Sequence, residues 1–214
     1  VMDDGWFGKR ESDNSGLGDW IVNEKKLGCT LKDLSARIHA LGLKFGIWFE
    51  PECISEDSDL YRAHPDWAFK VPEKSPVRSR YQLVLDFSRK EVRDHIYNMM
   101  CNVLDNAQVE YLKWDFNRSI GDIFTIALPA DRQGETAHKY ILGLYEFLEN
   151  LNKRYPGMLI EGCSGGGGRF DAGMLYYTPQ IWTSDDTDSI ERLKIQYGTS
   201  FCYPVSTMGA HVSA

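Results

Sequence analysis

Apolar residues in this chain gather into short dense runs separated by longer stretches with helical spacing. The dense runs cover residues 1–3, 44–49, 82–86, 110–115, 158–163, 180–183 and 204–208, and their lengths predict strands. Between them, Leu31, Leu34, Ile38 and Leu41 recur every three or four residues and predict a helix. Thr30 with Asp33 resembles a capping box with a shortened acid, and Gly42 ends the pattern. Ser88 with Glu91 predicts a second capping box, followed by the stripe Val92, Ile96, Met99 and Val103. A third helix is predicted over about 136–154, with Ile141, Leu144, Leu148 and Leu151 on one side and Pro156 with Gly157 as its stop. A fourth is predicted over 189–197 through Ile190, Leu193 and Tyr197.

Such alternation means parallel strands joined by crossover helices, an α/β class. An open doubly wound sheet and a (β/α)8 TIM barrel both satisfy it, and the strand ends choose between them. Runs finish in Asp3 and Asp4, Glu50, Asp86, Asp115, Cys163, and Ser184 with Asp185. A barrel gathers all these ends around one mouth, whereas an open sheet concentrates chemistry at one switch point. The barrel explains the spread better. Seven strands in 214 residues, against about 250 residues for a complete barrel, predict a barrel truncated to about seven βα units. The missing part is expected to be the final βα unit and whatever precedes Val1, which is not a natural initiator. No linker or composition break appears, so residues 1–214 are read as one incomplete catalytic barrel.

Composition changes this picture little. Hydrophobic residues make up 43% and charged residues 26%, enough apolar material for a substantial core. The net charge is −7 and no long Lys/Arg cluster exists, which argues against a nucleic-acid partner. No apolar stretch approaches the roughly 20 residues of a membrane span, and no signal peptide opens the sequence. The five cysteines (Cys29, Cys53, Cys101, Cys163, Cys202) form no CxxC pair and are read as reduced thiols of a cytoplasmic enzyme.

Acidic side chains at strand ends carry the candidate chemistry. In YLKWDFNR (residues 111–118), Lys113 and Asp115 share a strand face, so the ammonium is expected to lower the carboxyl pKa. An ionised carboxylate suits a glycosidase nucleophile; a barrel-lining salt bridge is the alternative. WTSDDTD (residues 182–188) places three acids within four positions, and their crowding is expected to raise one pKa into general-acid range. Asp188 reads as a helix cap, Asp185 as the best acid, and Asp186 as its rival. EGCSGGGGRFD (residues 161–171) has four consecutive glycines whose N–H groups can approach a ligand closely. A phosphate cradle competes, but the Lys-Ser/Thr ending of a P-loop is absent.

DDGWFG (residues 3–8), IWFEPE (residues 47–52) and Arg80 add hydroxyl acceptors, an indole and a cation near the same mouth. Taken singly, each is more often structural than functional. Glu50 and Glu52 alternate onto one side; a catalytic role and a pairing of Glu50 with a base both stay open. His39, His64, His95, His138 and His211 are scattered, which disfavours a His-built zinc site. A carboxylate Mg²⁺ site stays open as competing chemistry.

Together and in this order, DDGWFG, GIWFEPE, YLKWDFNR, EGCSGGGGRFD and WTSDDTD resemble the catalytic domain of glycoside hydrolase family 36 α-galactosidases, over nearly the whole chain. That resemblance implies a (β/α)8 barrel, retention by double displacement, and neither cofactor nor metal. It implies Asp115 as nucleophile and Asp185 as acid/base. Asp3 and Asp4 would take sugar hydroxyls, Trp48 and Arg80 would bound the pocket, and Lys113 would hold hydroxyls. Cys163 and Gly165 would line it near the 2-hydroxyl. Substrates would be galactose-containing oligosaccharides of melibiose and raffinose type. Such enzymes normally carry a β-sandwich domain before the barrel, a small β domain after it, and often assemble as tetramers. An α-galactosyltransferase of raffinose-synthase type, an α-N-acetylgalactosaminidase and a non-catalytic sugar-binding barrel are the alternatives.

Overall fold

The computed structural model describes residues 1–211. Among the described residues six strands form in chain order: β1 (Gly46–Phe49), β2 (Cys53–Ile54), β3 (Leu83–Val84), β4 (Tyr111–Trp114), β5 (Leu159–Gly162) and β6 (Gln180–Ile181). Four of them make one parallel sheet in the order β1-β4-β5-β6. Single parallel bridges extend it at both edges, Met2 to Ile47 and Met208 to Ile181. Position in the sheet thus follows position in the chain from Met2 to Met208. A doubly wound sheet must reverse its order at a switch point. The progression here never reverses, so the sheet is singly wound, with helices in the crossovers.

Three expected strands are corrected. Residues 82–86 do not join the parallel sheet. Leu83–Val84 pairs antiparallel with Cys53–Ile54, and Leu85 bridges Ala68 in the same sense. The run Leu83, Val84, Leu85 is wholly buried, and a buried run without alternation carries no information about which neighbour it pairs with. Residues 204–208 give a single helical turn, Val205–Thr207, capped by Pro204, with only Met208 reaching the sheet. Of residues 1–3, only Met2 pairs.

The register of β1, β4 and β5 sets the faces. Trp48, Lys113 and Glu161 stand side by side in the sheet. On β4, Leu112 and Trp114 are buried toward the helical layer, where Trp114 meets Phe147 edge-on at 5.4 Å between ring centroids. Lys113 therefore points to the opposite face. Phe147 belongs to helix Thr136–Arg154, whose buried side also carries Tyr140, Leu144, Leu148 and Leu151. A second core centre forms from Trp6, Phe7, Trp20 and Phe49, with Trp48 against Phe7 and Trp20.

Helix ends follow local chemistry. Thr30 accepts the Asp33 N–H at 3.0 Å and donates its hydroxyl to the Asp33 carboxylate at 2.8 Å, opening helix Leu31–Ala40. Gly42 follows it at φ +76°, where a side chain would be strained. The expected Ser88 cap does not form: helix Lys90–Leu104 starts after Arg89 without a side-chain cap. Asp86 has captured Ser88 instead, accepting both its N–H and its hydroxyl, together with the Thr125 hydroxyl. Asp86 is thereby spent on local structure. Asp188 caps helix Ser189–Thr199 through the Ile190 and Glu191 N–H groups, each at 3.0 Å. The apolar stripe of that helix stays exposed, with Ile190 at 66%, Leu193 at 71% and Tyr197 at 69%. No described helix is long and apolar enough to cross a membrane.

Candidate active site

Asp115 follows β4 directly and is anchored by backbone as well as side chain. Its N–H donates to the Phe49 carbonyl at 2.8 Å, tying it to the end of β1. Its carboxylate accepts from Trp48 Nε1 at 3.0 Å, Asn117 Nδ2 at 2.6 Å, the Phe116 N–H at 2.8 Å and the Gly165 N–H at 3.3 Å. The residue is only 5% exposed. Burial pushes its pKa up, but the donors from Trp48, Asn117, Phe116 and Gly165 outweigh it and hold the carboxyl below the usual range.

The ionised state expected of Asp115 therefore has another main cause than the one read from Lys113. That ammonium turns to Asp3, donating to Oδ2 at 3.0 Å. Burial would depress the lysine pKa; the Asp3 charge and hydrogen bond, with Cys163 and Asp115 behind them, raise it instead. Lys113 Nζ also stands 5.6 Å from the Trp182 ring centroid, and Trp182 Nε1 donates to Asp185 at 2.9 Å. Asp185 itself is exposed, like Asp186 and Asp188.

The three acids of residues 182–188 are all exposed. Each has its own N–H donor: Trp182 Nε1 for Asp185, the Asp188 N–H for Asp186, and two helix N–H groups for Asp188. Asp186, the rival acid, accepts its bond from the residue that caps the next helix.

Residues 164–167 link the two sides. Ser164, Gly165, Gly166 and Gly167 all have positive φ, at 60°, 60°, 80° and 92°. The chain there curls left-handed, a conformation that penalises any Cβ. Gly165 donates its N–H to Asp115. A Cβ on Gly166 would stand 2.8 Å from the Asp185 nitrogen. One tight turn therefore touches the Asp115 carboxylate and lies against the backbone of Asp185.

Of the other expected residues, Trp48, Cys163 and Arg80 adjoin this turn, while Asp4 pairs with Arg10. Asp4 accepts Arg10 Nε and Nη2, at 3.0 and 2.8 Å. Trp48, 2% exposed, meets the site through its N–H rather than its ring face. Cys163 is buried, and burial, with the Asp115 charge nearby, pushes its thiol well up, so it stays neutral. Arg80 sits at φ +51° on an exposed loop and, with Asn117, Ser164, Gly165 and Arg169, lines a hollow of about 570 Å³.

Two carboxylates behind the rim were left open by the sequence. Glu50 accepts Gln82 Nε2 at 2.7 Å and the Asn117 N–H at 2.5 Å, with no base against it. Its burial, reinforced by the Asp115 charge, pushes its carboxyl up to about 7. Glu52 is the one with a cationic partner, Arg169. Asn117 and Arg169 lay inside the motifs already singled out, but nothing in their spacing said which carboxylate each would reach.

The fold and site define a singly wound parallel α/β protein in which Asp115 follows β4 beside a hollow lined by Arg80, Asn117, Arg118, Gly165 and Arg169. The melibiase family model matches residues 1–214, and the chain belongs to that family. It is 64% identical over its whole length to the bifunctional alpha-galactosidase/sucrose kinase AgaSK of Mediterraneibacter gnavus, covering 22% of that protein. It is 56% identical to alpha-galactosidase AgaA of Geobacillus stearothermophilus, covering 29% of it. The crystal structure of that enzyme superposes with a TM-score of 0.97 over all of this chain and 30% of that one. Variants of the same enzyme have been solved with raffinose and with stachyose. The chain thus spans less than a third of the length of these relatives.

Proposed function

We propose that the protein containing this chain is a retaining α-galactosidase that removes terminal α-galactosyl residues from oligosaccharides of melibiose and raffinose type. Residues 1–214 are part of its catalytic (β/α)8 barrel. The sequential parallel strand order supports the barrel reading. The single observation that carries the catalytic assignment is the shared turn: Gly165 against the Asp115 carboxylate and Gly166 against the backbone of Asp185.

Asp115, held ionised by its N–H donors, attacks the anomeric carbon as the bond to the leaving oxygen breaks. Asp185 gives that oxygen its proton. A β-galactosyl ester on Asp115 results. Asp185, now a carboxylate, takes a proton from water; the water oxygen attacks the anomeric carbon, and Asp115 leaves as a carboxylate. The carboxyl groups of a retaining pair stand about 5–5.5 Å apart, against about 6.5–9.5 Å when water must fit between. Asp3, Asp4 and Lys113 receive sugar hydroxyls, Trp48 and Arg80 bound the pocket, and Cys163 with Gly165 lies near the 2-hydroxyl. The proposed steps use these side chains and water alone.

The five cysteines are free, which supports a reducing, cytoplasmic setting. Assembly of the full-length protein as a homotetramer rests on the family resemblance alone. The test is to give full-length protein aryl α-galactoside, aryl α-N-acetylgalactosaminide and raffinose in parallel, following product configuration by NMR. Release of α-galactose as first product from the galactosides alone is expected. First-formed β-galactose would remove the retaining mechanism, preference for the N-acetyl sugar would move the specificity, and acceptor-dependent product from raffinose would make the enzyme a transferase. Binding of galactosides by the full-length protein without turnover would leave a sugar-binding barrel.

A further inference from the structure

Behind the rim lies a buried ion pair that the reaction does not use directly. Glu52 is 0% exposed. Its carboxylate accepts Arg169 Nη2 at 2.7 Å and Arg169 Nη1 at 2.9 Å, Trp114 Nε1 at 2.8 Å, and the Tyr140 hydroxyl. Every lone-pair direction of the carboxylate has a donor, which is the condition under which a buried ion pair is tolerated. These donors come from β4, helix Thr136–Arg154 and the residue just past the glycines, so Glu52 joins three elements.

Arg169 spends its remaining contacts on the site. Its Nε donates to the Ser164 hydroxyl at 2.7 Å, and its guanidinium lies 4.6 Å from the ring centroid of Phe116, the residue after Asp115. Ser164 is the non-glycine member of the left-handed turn and holds φ at 60°. Such a conformation costs about 1–3 kcal/mol and persists only where surroundings over-determine it. The bond from Arg169 is that constraint. The same turn meets Asp115 through Gly165 and leaves no room for a Cβ between Gly166 and Asp185.

We propose that Arg169 and Glu52 are positioning residues whose ion pair clamps the turn Ser164–Gly167 and so fixes the gap between the Asp115 carboxylate and the segment bearing Asp185. The proposal rests on the reading of those two aspartates as the catalytic pair. Arginine is required because a planar fork can hold both carboxylate oxygens while its Nε reaches sideways to Ser164; a lysine ammonium offers no such geometry. Misplacing catalytic groups by about 1 Å can cost about 100-fold in rate.

The test uses full-length enzyme carrying Arg169→Lys and, separately, Ser164→Ala. The second removes one hydrogen bond and leaves no buried charge unpaired, so it remains informative if the first fails to fold. With secondary structure and melting temperature of Ser164→Ala close to wild type, kcat on an aryl α-galactoside is expected to fall about 10- to 100-fold, with KM within about threefold. The acid limb of the kcat/KM profile is expected to move to higher pH as the Gly165 N–H loosens from Asp115. A clamp that merely supports the fold would move neither kcat nor the acid limb in a folded variant. Wild-type kcat and an unmoved acid limb in Ser164→Ala overturn the proposal. Azide products from Asp115→Ala and Asp185→Ala, taken in the same series, report on the catalytic assignment separately. If those behave as assigned while Ser164→Ala is unaffected, the clamp alone is wrong.

Discussion

The two halves of the proposed catalytic rim are built in opposite ways. On the β4 side, Asp115 is buried and held by N–H donors from Trp48, Phe116, Asn117 and Gly165. On the β6 side, Asp185 is exposed and accepts one bond, from Trp182. The β4 side suits the task proposed for it. A nucleophile needs a fixed position and a permanent charge, and preorganised donors supply both. Asp185 has no comparable set of donors, so its proposed acid/base role rests on the family resemblance and on its place beside the glycine turn.

Substitutions can break or sharpen this contrast. The largest effect is expected on the rigid side: Asp115→Ala in full-length enzyme abolishes hydrolysis of an aryl α-galactoside in a steady-state assay. Asp185→Ala is expected to cost about 10²–10⁴-fold on raffinose, the usual worth of general acid–base catalysis, and much less on an aryl glycoside whose leaving group needs no proton. Equal losses on both substrates would contradict the acid role.

Glu50 sharpens the comparison because it lies beside Asp115 without comparable support. Its carboxyl is raised from 4.5 to about 7, so the folded state keeps its proton to higher pH than the unfolded chain. Stability from this group is therefore full below about 4.5 and is lost as pH rises toward about 7. Glu50→Gln is expected to flatten that slope and stabilise the protein by about 3 kcal/mol at pH 8, read by denaturant titration across pH. An unchanged slope would place the titration elsewhere.

Asn117→Ala removes one charge-assisted bond from Asp115, worth about 1.5–3 kcal/mol. The carboxyl pKa rises, and the acid limb of kcat/KM shifts upward. The smallest effect is expected at Asp188, whose loss as a helix cap costs about 1 kcal/mol in stability. Its Ala variant should keep far more activity than Asp185→Ala; parity between them would merge the roles assigned to these two acids.

Much of the fold was legible in the sequence. Helix Thr136–Arg154 and the core of β4 and β5 stood out because periodicity and apolar density agreed. Residues 82–86 misled because Leu83, Val84 and Leu85 look alike whichever strand they join. Ser88 misled because Asp86, two residues away, competes for its hydroxyl. At the site, the sequence pointed to Asp115 and Asp185 but to Lys113 as the partner of Asp115. Strand alternation puts Lys113 on the correct face; only the fold shows that Asp3 is its closer anion. The link between Glu52 and Arg169 spans 117 positions and leaves no local pattern to read.

The most direct measurement is the configuration of the galactosyl azide formed when azide is added to Asp115→Ala and Asp185→Ala. In the first variant azide takes the place of the missing carboxylate and adds from the face opposite the leaving group, giving the β-azide. In the second, azide meets the ester on Asp115 and inverts it, giving the α-azide. One anomer from both variants, or the two exchanged, would contradict the assignment.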